Sequence, residues 1–422
     1  PGQSAAVPRK EEAEVNDVPG HRCALHRPPG SVNASQFEMK IILAPDKFKG
    51  SLTAPDAARA MARGVLAACP SAALDLVPMA DGGEGTVEAL VAATGGTFRE
   101  ATVTGPLGEP VVARFGVLGD GRTAVMEMAS ASGLVLVPHE RRDPLRATTH
   151  GTGELVRAAL DLGARTIIVG IGGSATNDGG AGLAQALGAR LLDNEGTELP
   201  PGGAALARIA RIDAAMLDPR LTSTEIRVAC DVANPLCGPT GASAVYGPQK
   251  GATPEMVARL DAAIAHFARI IRRDMGLDVA ELPGAGAAGG LGAGLVAFAG
   301  GRLTPGIDLV IDAVGLRQRL TRADLCLTGE WCLDASSAFG KTAVGVARLA
   351  RELGVPCLAL AGMIGAGAEA VLDQGIDAYA SIAPGPGPLD EAIAEVENRL
   401  GRATEQFVRA FLAGRGSEHH GR

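Results

Sequence analysis

Short apolar runs with the character of buried strands alternate with segments of helix length along most of this chain. Lys40–Ala44, for example, precedes a predicted helix near Ala54–Ala68. Thr53 is a candidate N-cap for that helix, and Pro55 is favoured in its first turn. Alternation of this kind is typical of α/β folds, whose ligands bind at the carboxyl ends of parallel strands. The sequence therefore predicts an α/β fold with a largely parallel sheet.

The middle of the chain is richer in strand-like runs than the two ends, with three such runs between residues 97 and 128. We therefore predict a second domain inserted into the first, with seams near residues 102–106 and within residues 284–294. The last third returns to regular alternation. Its predicted strands are Leu309–Ile311, Leu325–Leu327, Cys357–Leu360 and Tyr379–Ile382.

The composition of the chain indicates which kinds of partner and which cellular compartment to expect. The 422 residues carry a formal net charge of -8, which disfavours nucleic acid and anionic membranes as partners. Seven cysteines without a CxxC pair predict a reduced, cytoplasmic protein, and no apolar run is long enough to cross a membrane. Residues 1–38 are polar and Pro-rich, so we interpret them as a disordered extension.

Three segments that mix glycines with acids each follow a strand-like run and precede a helix-like one. They are Ala44–Ser51, Asp81–Gly85 and Gly172–Gly180. Glycine lets the backbone approach a ligand, and helix N-termini present N–H groups to anions. Carboxylates there would repel a phosphate unless Mg²⁺ lay between them. The set predicts a magnesium–nucleotide site, and a phosphoryl transferase is the first hypothesis.

Two further motifs leave alternatives open. Gly170-x-Gly172-x-x-Ala175 matches a dinucleotide-binding fingerprint, and Asp193 lies about 20 residues on, where a ribose-binding acid is expected. A nicotinamide-dependent oxidoreductase is therefore a competing hypothesis. Gly340-Lys341-Thr342 has the end of a phosphate-binding loop, but Ala335 stands where the first glycine is required.

Taken together, the ordered motifs resemble those of the bacterial glycerate kinase family, from Met39 to about Leu412. The motifs that carry the resemblance are Ala44–Ser51, Met79–Thr86, Gly172–Gly180, Cys230–Leu236, Gly247–Gly251, Thr328–Glu330, and Asp334 with Gly340-Lys341.

The resemblance implies two α/β domains with the active site in the cleft between them. A discontinuous flavodoxin-like domain would comprise residues 39–104 and 290–414, and an inserted Rossmann-like domain residues 105–289. The implied reaction transfers the γ-phosphoryl group of ATP to D-glycerate with Mg²⁺. 2-Phosphoglycerate is the expected product, and 3-phosphoglycerate is less favoured. Partners are then small molecules, and a homo-oligomer stays open.

Within that reaction, the acids, lysines and glycines of the motifs receive expected roles. Asp178 or Asp46 is the expected base or hydroxyl-orienting group, and Lys47 acts beside it. The expected metal ligands, direct or through water, are Asp81, Glu84, Asp231, Glu330 and Asp334. The expected substrate- and phosphate-binding residues are Lys49, Ser51, Gly82, Gly83, Gly172, Gly173, Ser174, Asn177 and Lys341.

One stretch departs from the family pattern. Trp331 and Cys332 stand where the family usually carries Gly-Arg, and Ser336 stands in place of a usual Gln. The change removes a cation that could pair with phosphate or carboxylate in bidentate fashion. A catalytically impaired family member is therefore a further alternative, which predicts nucleotide binding without product.

Overall fold

The structure is a computed structural model, and it describes residues 39–339, 341–383, 385 and 393–418. The predicted extension at 1–38 and Gly340 of the Gly-Lys-Thr motif lie outside these residues. Among the described residues, no helix combines the length and apolar character needed to cross a membrane.

The first sheet contains five parallel strands drawn from both ends of the described chain. They are β1 (Lys40–Pro45), β2 (Ala73–Leu76), β11 (Leu325–Leu333), β12 (Cys357–Ile364) and β13 (Ala378–Ser381). Their spatial order is β13-β12-β11-β1-β2. Counted within this sheet alone, that is the 2-1-3-4-5 order of flavodoxin-like folds, and ligands of such folds bind beside the strand where the order reverses.

The second sheet has six strands in the order β10-β9-β6-β5-β4-β3. They are β3 (Thr97–Thr104), β4 (Pro110–Val117), β5 (Thr123–Glu127), β6 (Thr166–Gly170), β9 (Glu225–Ala229) and β10 (Arg302–Thr304). The last four in chain order run parallel, whereas β3, β4 and β5 form an antiparallel meander. A separate antiparallel ribbon pairs β7 (Arg190–Leu192) with β8 (Arg211–Asp213).

Twelve α-helices connect and cover these strands in the described part of the chain. They are α1 (Ala54–Ala68), α2 (Thr86–Thr94), α3 (Ala129–Ser132), α4 (His150–Asp161), α5 (Ala181–Ala186), α6 (Ala242–Tyr246), α7 (Pro254–Met275), α8 (Ala287–Ala299), α9 (Gly306–Val314), α10 (Leu316–Leu320), α11 (Thr342–Glu352) and α12 (Val396–Glu418).

These elements confirm the predicted α/β class. They also confirm the first helix, in which the Thr53 hydroxyl accepts a hydrogen bond from the Asp56 backbone N–H. The strand predicted at Leu309–Ile311 is wrong, because these residues lie within α9. Leu309 and Val310 are buried on the inner face of that helix, and a short aliphatic run of this kind fits either element.

Helices α2 and α9 lie where the two sheets approach each other. Helix α2 packs against β4 and β5, and α9 packs against β9, α2 and α11. One hydrophobic core therefore includes Ile42 of the first sheet together with Val125 and Ile168 of the second. β3 and β10 belong to the second sheet, although the predicted division assigned both to the discontinuous domain. The division into domains stays a prediction.

Candidate active site

Asp46 follows the central strand β1 directly and is held in place from several sides. Its N–H donates to the Gly329 carbonyl oxygen at 2.8 Å, and its Oδ2 accepts from Thr342 Oγ1 at 2.6 Å. Only 8% of the residue is exposed. This burial raises the pKa of the Asp46 carboxyl, and the nearby Asp81 carboxylate adds to the increase.

Glu330 lies beside Asp46 on the neighbouring strand β11 and is equally buried, at 8% exposure. Its Oε1 atom is buried and makes no hydrogen bond in the described structure. Burial raises the pKa of the Glu330 carboxyl to about 8, and Asp46 and Asp334 add to the increase while Lys341 opposes it. A cation bound at this carboxyl would give the Oε1 atom a partner and would offset the repulsion from Asp46 and Asp334.

The carboxyl ends of the two sheets border one cavity of about 660 Å³. The first sheet contributes Asp46 and Glu330, and the second contributes Glu127 and the turn after β6. The predicted site residues on its wall are Asp46, Lys47, Lys49, Asp81, Gly83, Glu84, Gly172, Gly173, Glu330 and Lys341. Trp331 and Cys332, the departures from the family pattern, lie on the same wall.

Three lysines give this acidic wall its positive charge. The Lys47 ammonium donates a hydrogen bond to the Glu84 carbonyl oxygen. The Lys341 ammonium lies 3.6 Å from Asp334 Oδ1, at the start of α11. Lys49 is exposed in the loop after β1. Cations and carboxylates thus share one cavity, as binding of a metal–phosphate complex requires.

Two glycine turns bring backbone to the same cavity. Gly82 has φ +89° and Gly173 has φ +74°, a left-handed conformation that other residues rarely adopt. A Cβ at Gly82 would also lie 2.4 Å from the Ala229 Cβ, so the approach of the two segments requires glycine there. In the described structure the backbone N–H groups of Gly172 and Gly173 donate no hydrogen bond. They are therefore available to an anion.

Two further cavities adjoin the first one, and they share no lining residue with each other. A cavity of about 420 Å³ shares Asp46, Lys47 and Lys49 with it and continues to Ser51 and Arg114. A cavity of about 410 Å³ shares Asp81, Gly83 and the Gly172-Gly173 turn. This third cavity continues to Gly82, Ser174 and Asp231. The three together form a continuous cleft along the carboxyl ends of both sheets.

Asp178 and Asn177 lie apart from this cleft, and neither is solvent-exposed. Asp178 accepts hydrogen bonds from the Thr149 N–H and hydroxyl at 2.8 and 2.9 Å, and from the N–H groups of Gly180 and Gly182. The Asn177 amide donates to Ser243 Oγ at 2.9 Å. Burial raises the pKa of Asp178, but its saturated hydrogen bonding is typical of a carboxylate that holds a turn.

The acids expected to bind metal lie at different depths of the cleft. Asp81 accepts from the Gly83 N–H at 3.1 Å, Asp231 from the Gly306 N–H at 2.8 Å, and Asp334 from Ser336. In the part of the chain that the structure describes, no three His, Cys, Asp or Glu side chains converge closely enough to enclose a metal ion. Such a donor set suits Mg²⁺, which usually keeps waters and takes substrate phosphates as ligands.

Two residues that shape this site, Glu127 on the cavity wall and Thr342 behind Asp46, were not among the predicted ones. Glu127 ends β5, and its Oε1 accepts from the Val87 N–H at 3.0 Å in the first turn of α2. Burial raises its pKa, and Lys47 opposes the increase. Thr342 fixes Asp46 from α11. The sequence signal for Glu127 was its place at a strand end, the same as for Asp46, although no glycine-rich segment follows it.

The dinucleotide fingerprint lacks the helix that it requires. After Gly172-Gly173, Ser174 forms an isolated bridge with Gly133, and α5 begins only at Ala181. Asp193 instead closes the turn after β7 by accepting from the N–H groups of Glu195 and Thr197. The geometry therefore does not favour a nicotinamide site at this turn.

Glu330→Gln should stabilise the metal-free protein at alkaline pH. The folded-state pKa of about 8 lies above the ordinary 4.5, so the stability contributed by Glu330 is fully present below pH 4.5. It is lost as pH rises through 8, because ionising the buried carboxyl is unfavourable. Urea unfolding with a chelator at pH 5 and pH 9 should show a gain on the order of 3 kcal/mol for the variant at pH 9 only. An equal difference in unfolding free energy between variant and wild type at pH 5 and pH 9 would contradict the raised pKa of Glu330.

Comparisons with known proteins agree with this arrangement. The model of the glycerate kinase family matches residues 41–412. The glycerate kinase of Bacillus subtilis (strain 168) is 53% identical over 370 residues, which cover 88% of this chain and 97% of that protein. The glycerate 2-kinase of Escherichia coli (strain K12) is 49% identical over 376 residues, covering 89% and 99%.

The architecture is also similar to that of a solved structure. A crystal structure of a Salmonella typhimurium LT2 protein assigned as glycerate kinase 2 superposes with a TM-score of 0.83 at 48% sequence identity. The match covers 89% of this chain and 99% of that one.

Proposed function

Because this chain belongs to the glycerate kinase family, we propose that it transfers the γ-phosphoryl group of ATP to the 2-hydroxyl of D-glycerate. The products would be 2-phosphoglycerate and ADP. The observation that carries the proposal is the single cavity in which Asp46 and three lysines meet two glycine turns. Phosphoryl transfer needs positioning and charge neutralisation more than covalent chemistry, and this cavity can supply both.

Asp46 is the residue best placed to accept the hydroxyl proton. It borders the cavity, whereas Asp178 borders none of the three, so of the two predicted bases we choose Asp46. Thr342 and the Lys47 N–H orient its carboxylate, at 2.6 Å each. Its raised pKa brings the group closer to neutral pH, where a general base is most effective.

The lysines and glycine turns would bind the anionic groups of both substrates. Lys47, Lys49 and Lys341 border the cavity on the side of the first sheet. Gly172 and Gly173, whose backbone N–H groups donate no hydrogen bond in the described structure, border it on the side of the second. An anion between them would receive donors from both sides. Such fixed donors stabilise the charge on the transferring phosphoryl group without reorganisation during the reaction.

Mg²⁺ fits the acids of this wall. Asp81 and Glu330 would hold the ion, since Glu330 has an unpartnered buried oxygen and the Asp81 charge raises the pKa of both Asp46 and Glu330. Water and phosphate oxygens would complete the coordination. When bound, the ion would neutralise charge on the phosphates of the nucleotide. Glu84 and Asp334 would act on the ion through water.

The direct test is ADP release with ATP, Mg²⁺ and D-glycerate, with the product identified by phosphorus and carbon NMR. Glycerate-dependent ADP and a 2-phosphoglycerate signal would support the proposal. A 3-phosphoglycerate signal would keep the kinase and overturn the choice of hydroxyl. Absence of turnover by folded protein would favour the impaired alternative. This assay does not bear on the cytoplasmic location, which stays a prediction, or on a homo-oligomer, which stays open.

Replacing Trp331-Cys332 by Gly-Arg should increase kcat/KM for glycerate by about tenfold or more. Both residues lie on the cavity wall, and the Trp331 ring covers Gly362 of β12, where a Cβ would lie 2.8 Å from the ring. The double variant removes that bulk and adds a bidentate cation. Steady-state kinetics of both proteins measure the gain, and Trp331→Gly alone separates bulk from charge. An unchanged kcat/KM would show that the departure is neutral.

A further inference from the structure

We infer that the third cavity, beyond the Gly82-Gly83 and Gly172-Gly173 turns, binds the nucleoside of the nucleotide substrate. The inference rests on the proposed function and assigns the two ends of the cleft to different parts of the reaction. It begins from the position of this cavity, which lies at the carboxyl ends of β6 and β9, where Ile171 and Cys230 follow these strands. Parallel α/β sheets bind their ligands at this edge.

The side chains of the third cavity suit a flat, largely apolar group. Leu134, Ile171 and Val232 contribute aliphatic surface, and Tyr246 contributes an aromatic ring. Val232 keeps 39% of its surface exposed, so part of this apolar wall is not covered by any of the described residues. Aromatic residues make up only 3% of the chain, and one of its two tyrosines lies here. A nucleobase stacks readily on such a ring.

Small residues and strained backbone make room for that group. Ala288, Gly289 and Gly290 form a left-handed turn inside α8, with φ of 55°, 71° and 90°. Ala288 borders the cavity and is one of two described non-glycine residues with positive φ. Gly289 is required because a Cβ there would lie 1.9 Å from the Thr176 carbonyl oxygen. Strain of this kind persists only where the surrounding structure imposes it, and it concentrates at ligand sites.

Polar groups at the rim can recognise the base and the ribose. The side-chain amide of Gln249 makes no hydrogen bond in the described structure, although the residue borders the cavity. One Asp231 oxygen accepts from the Gly306 N–H, and the other has no partner among the described residues. A hydroxyl of the ribose could donate to that second oxygen. We therefore place Asp231 with the nucleoside rather than with the metal.

The opposite end of the cleft has the wrong chemistry for a base. The 420 Å³ cavity is bordered by Lys47, Lys49 and Arg114 and by the acids Glu84, Glu88 and Glu127. Burying an aromatic base there would strip water from several charges without giving them new partners. A small hydroxy acid offers a carboxylate to the cations instead. With the nucleoside in the third cavity, the phosphates would extend over the two glycine turns toward Asp46.

Calorimetric titration of ATP and of inorganic tripolyphosphate, both with Mg²⁺, tests the inference on four proteins. Tyr246→Ala should weaken ATP binding by about tenfold or more, because the stacking ring is lost, and should leave tripolyphosphate binding unchanged. Tyr246→Phe keeps the ring and should bind ATP nearly as wild type does. Val245→Ala is the matched control, since Val245 adjoins Tyr246 in α6, is 44% exposed and borders none of the three cavities.

The outcomes separate this inference from the proposed function. If Tyr246→Ala binds ATP like the wild type, or loses ATP and tripolyphosphate equally, the nucleoside does not stack in the third cavity and the inference fails. Glycerate-dependent turnover by the wild type would still stand in that case. If the wild type neither binds ATP nor releases ADP, the proposed function fails first.

Discussion

Asp46→Asn should lower kcat for glycerate phosphorylation by about 10²–10⁴-fold, the usual contribution of a positioned base. The neutral amide can accept a hydrogen bond from Thr342 as Asp46 does, but it cannot take up the hydroxyl proton. The melting temperature should change little, because removal of a buried charge offsets the cost of an amide NH₂ that would face the Lys47 N–H. Steady-state kinetics and thermal unfolding of the same preparation measure both quantities.

Thr342→Val is the control for positioning. It leaves the carboxylate in place and removes only the 2.6 Å hydrogen bond to Oδ2, so kcat should fall less than in Asp46→Asn and the pH profile should shift. If Asp46→Asn kept wild-type kcat, Asp46 would not be the base, whatever its effect on stability.

Asp178→Asn should produce the opposite pattern, a loss of stability of about 2–4 kcal/mol with little change in kcat per folded molecule. The four donors that point at Asp178 include backbone N–H groups of three residues, and the amide NH₂ of asparagine would face some of them. The buried Lys250 would also lose a nearby negative charge. Burial already lowers the pKa of Lys250 to about 7, and Asp178 opposes that decrease.

Urea unfolding gives the stability change for Asp178→Asn, and kinetics at a temperature where the variant is fully folded give kcat. Asp178→Ala, which leaves the donors unpaired without a misplaced NH₂, should destabilise the protein in the same direction. A folded variant with kcat reduced a hundredfold would restore Asp178 as a candidate base and would argue against Asp46.

Asp46 and Asp178 show how much of the candidate site can be predicted from the sequence alone. Each ends or follows a strand-like run, and each lies in a glycine-flanked segment of the same composition. They differ in burial and in the partners that surround the carboxylate, and these come from β11, α11 and the segment before α4. Local pattern predicts the type of site, whereas the tertiary contacts decide which acid faces the cleft.

The same distinction between local pattern and tertiary contacts applies to the fold. The α/β class and the helix after β1 were predictable because periodicity and capping residues are local signals. The helix at residues 306–314 was not, because Leu309–Ile311 is too short to reveal its period. The role of Glu127 was not predicted because it depends on a tertiary contact. Glu127 lies on β5 of the second sheet and accepts a hydrogen bond from the first turn of α2. The third cavity likewise appears only when α6 packs against α8 and α8 packs against β9.

The strand order of the first sheet also determines when the enzyme can be completed during synthesis. β1 pairs with β11, and Ala44 and Thr328 are 284 residues apart in sequence. At a ribosomal rate of about 5–20 residues per second, β1 waits roughly 15–60 s for this partner. The strands of the second sheet emerge completely within that interval. An exposed β1 edge on the nascent chain is a template for wrong pairing, so chaperone binding should concentrate on fragments that end before residue 325.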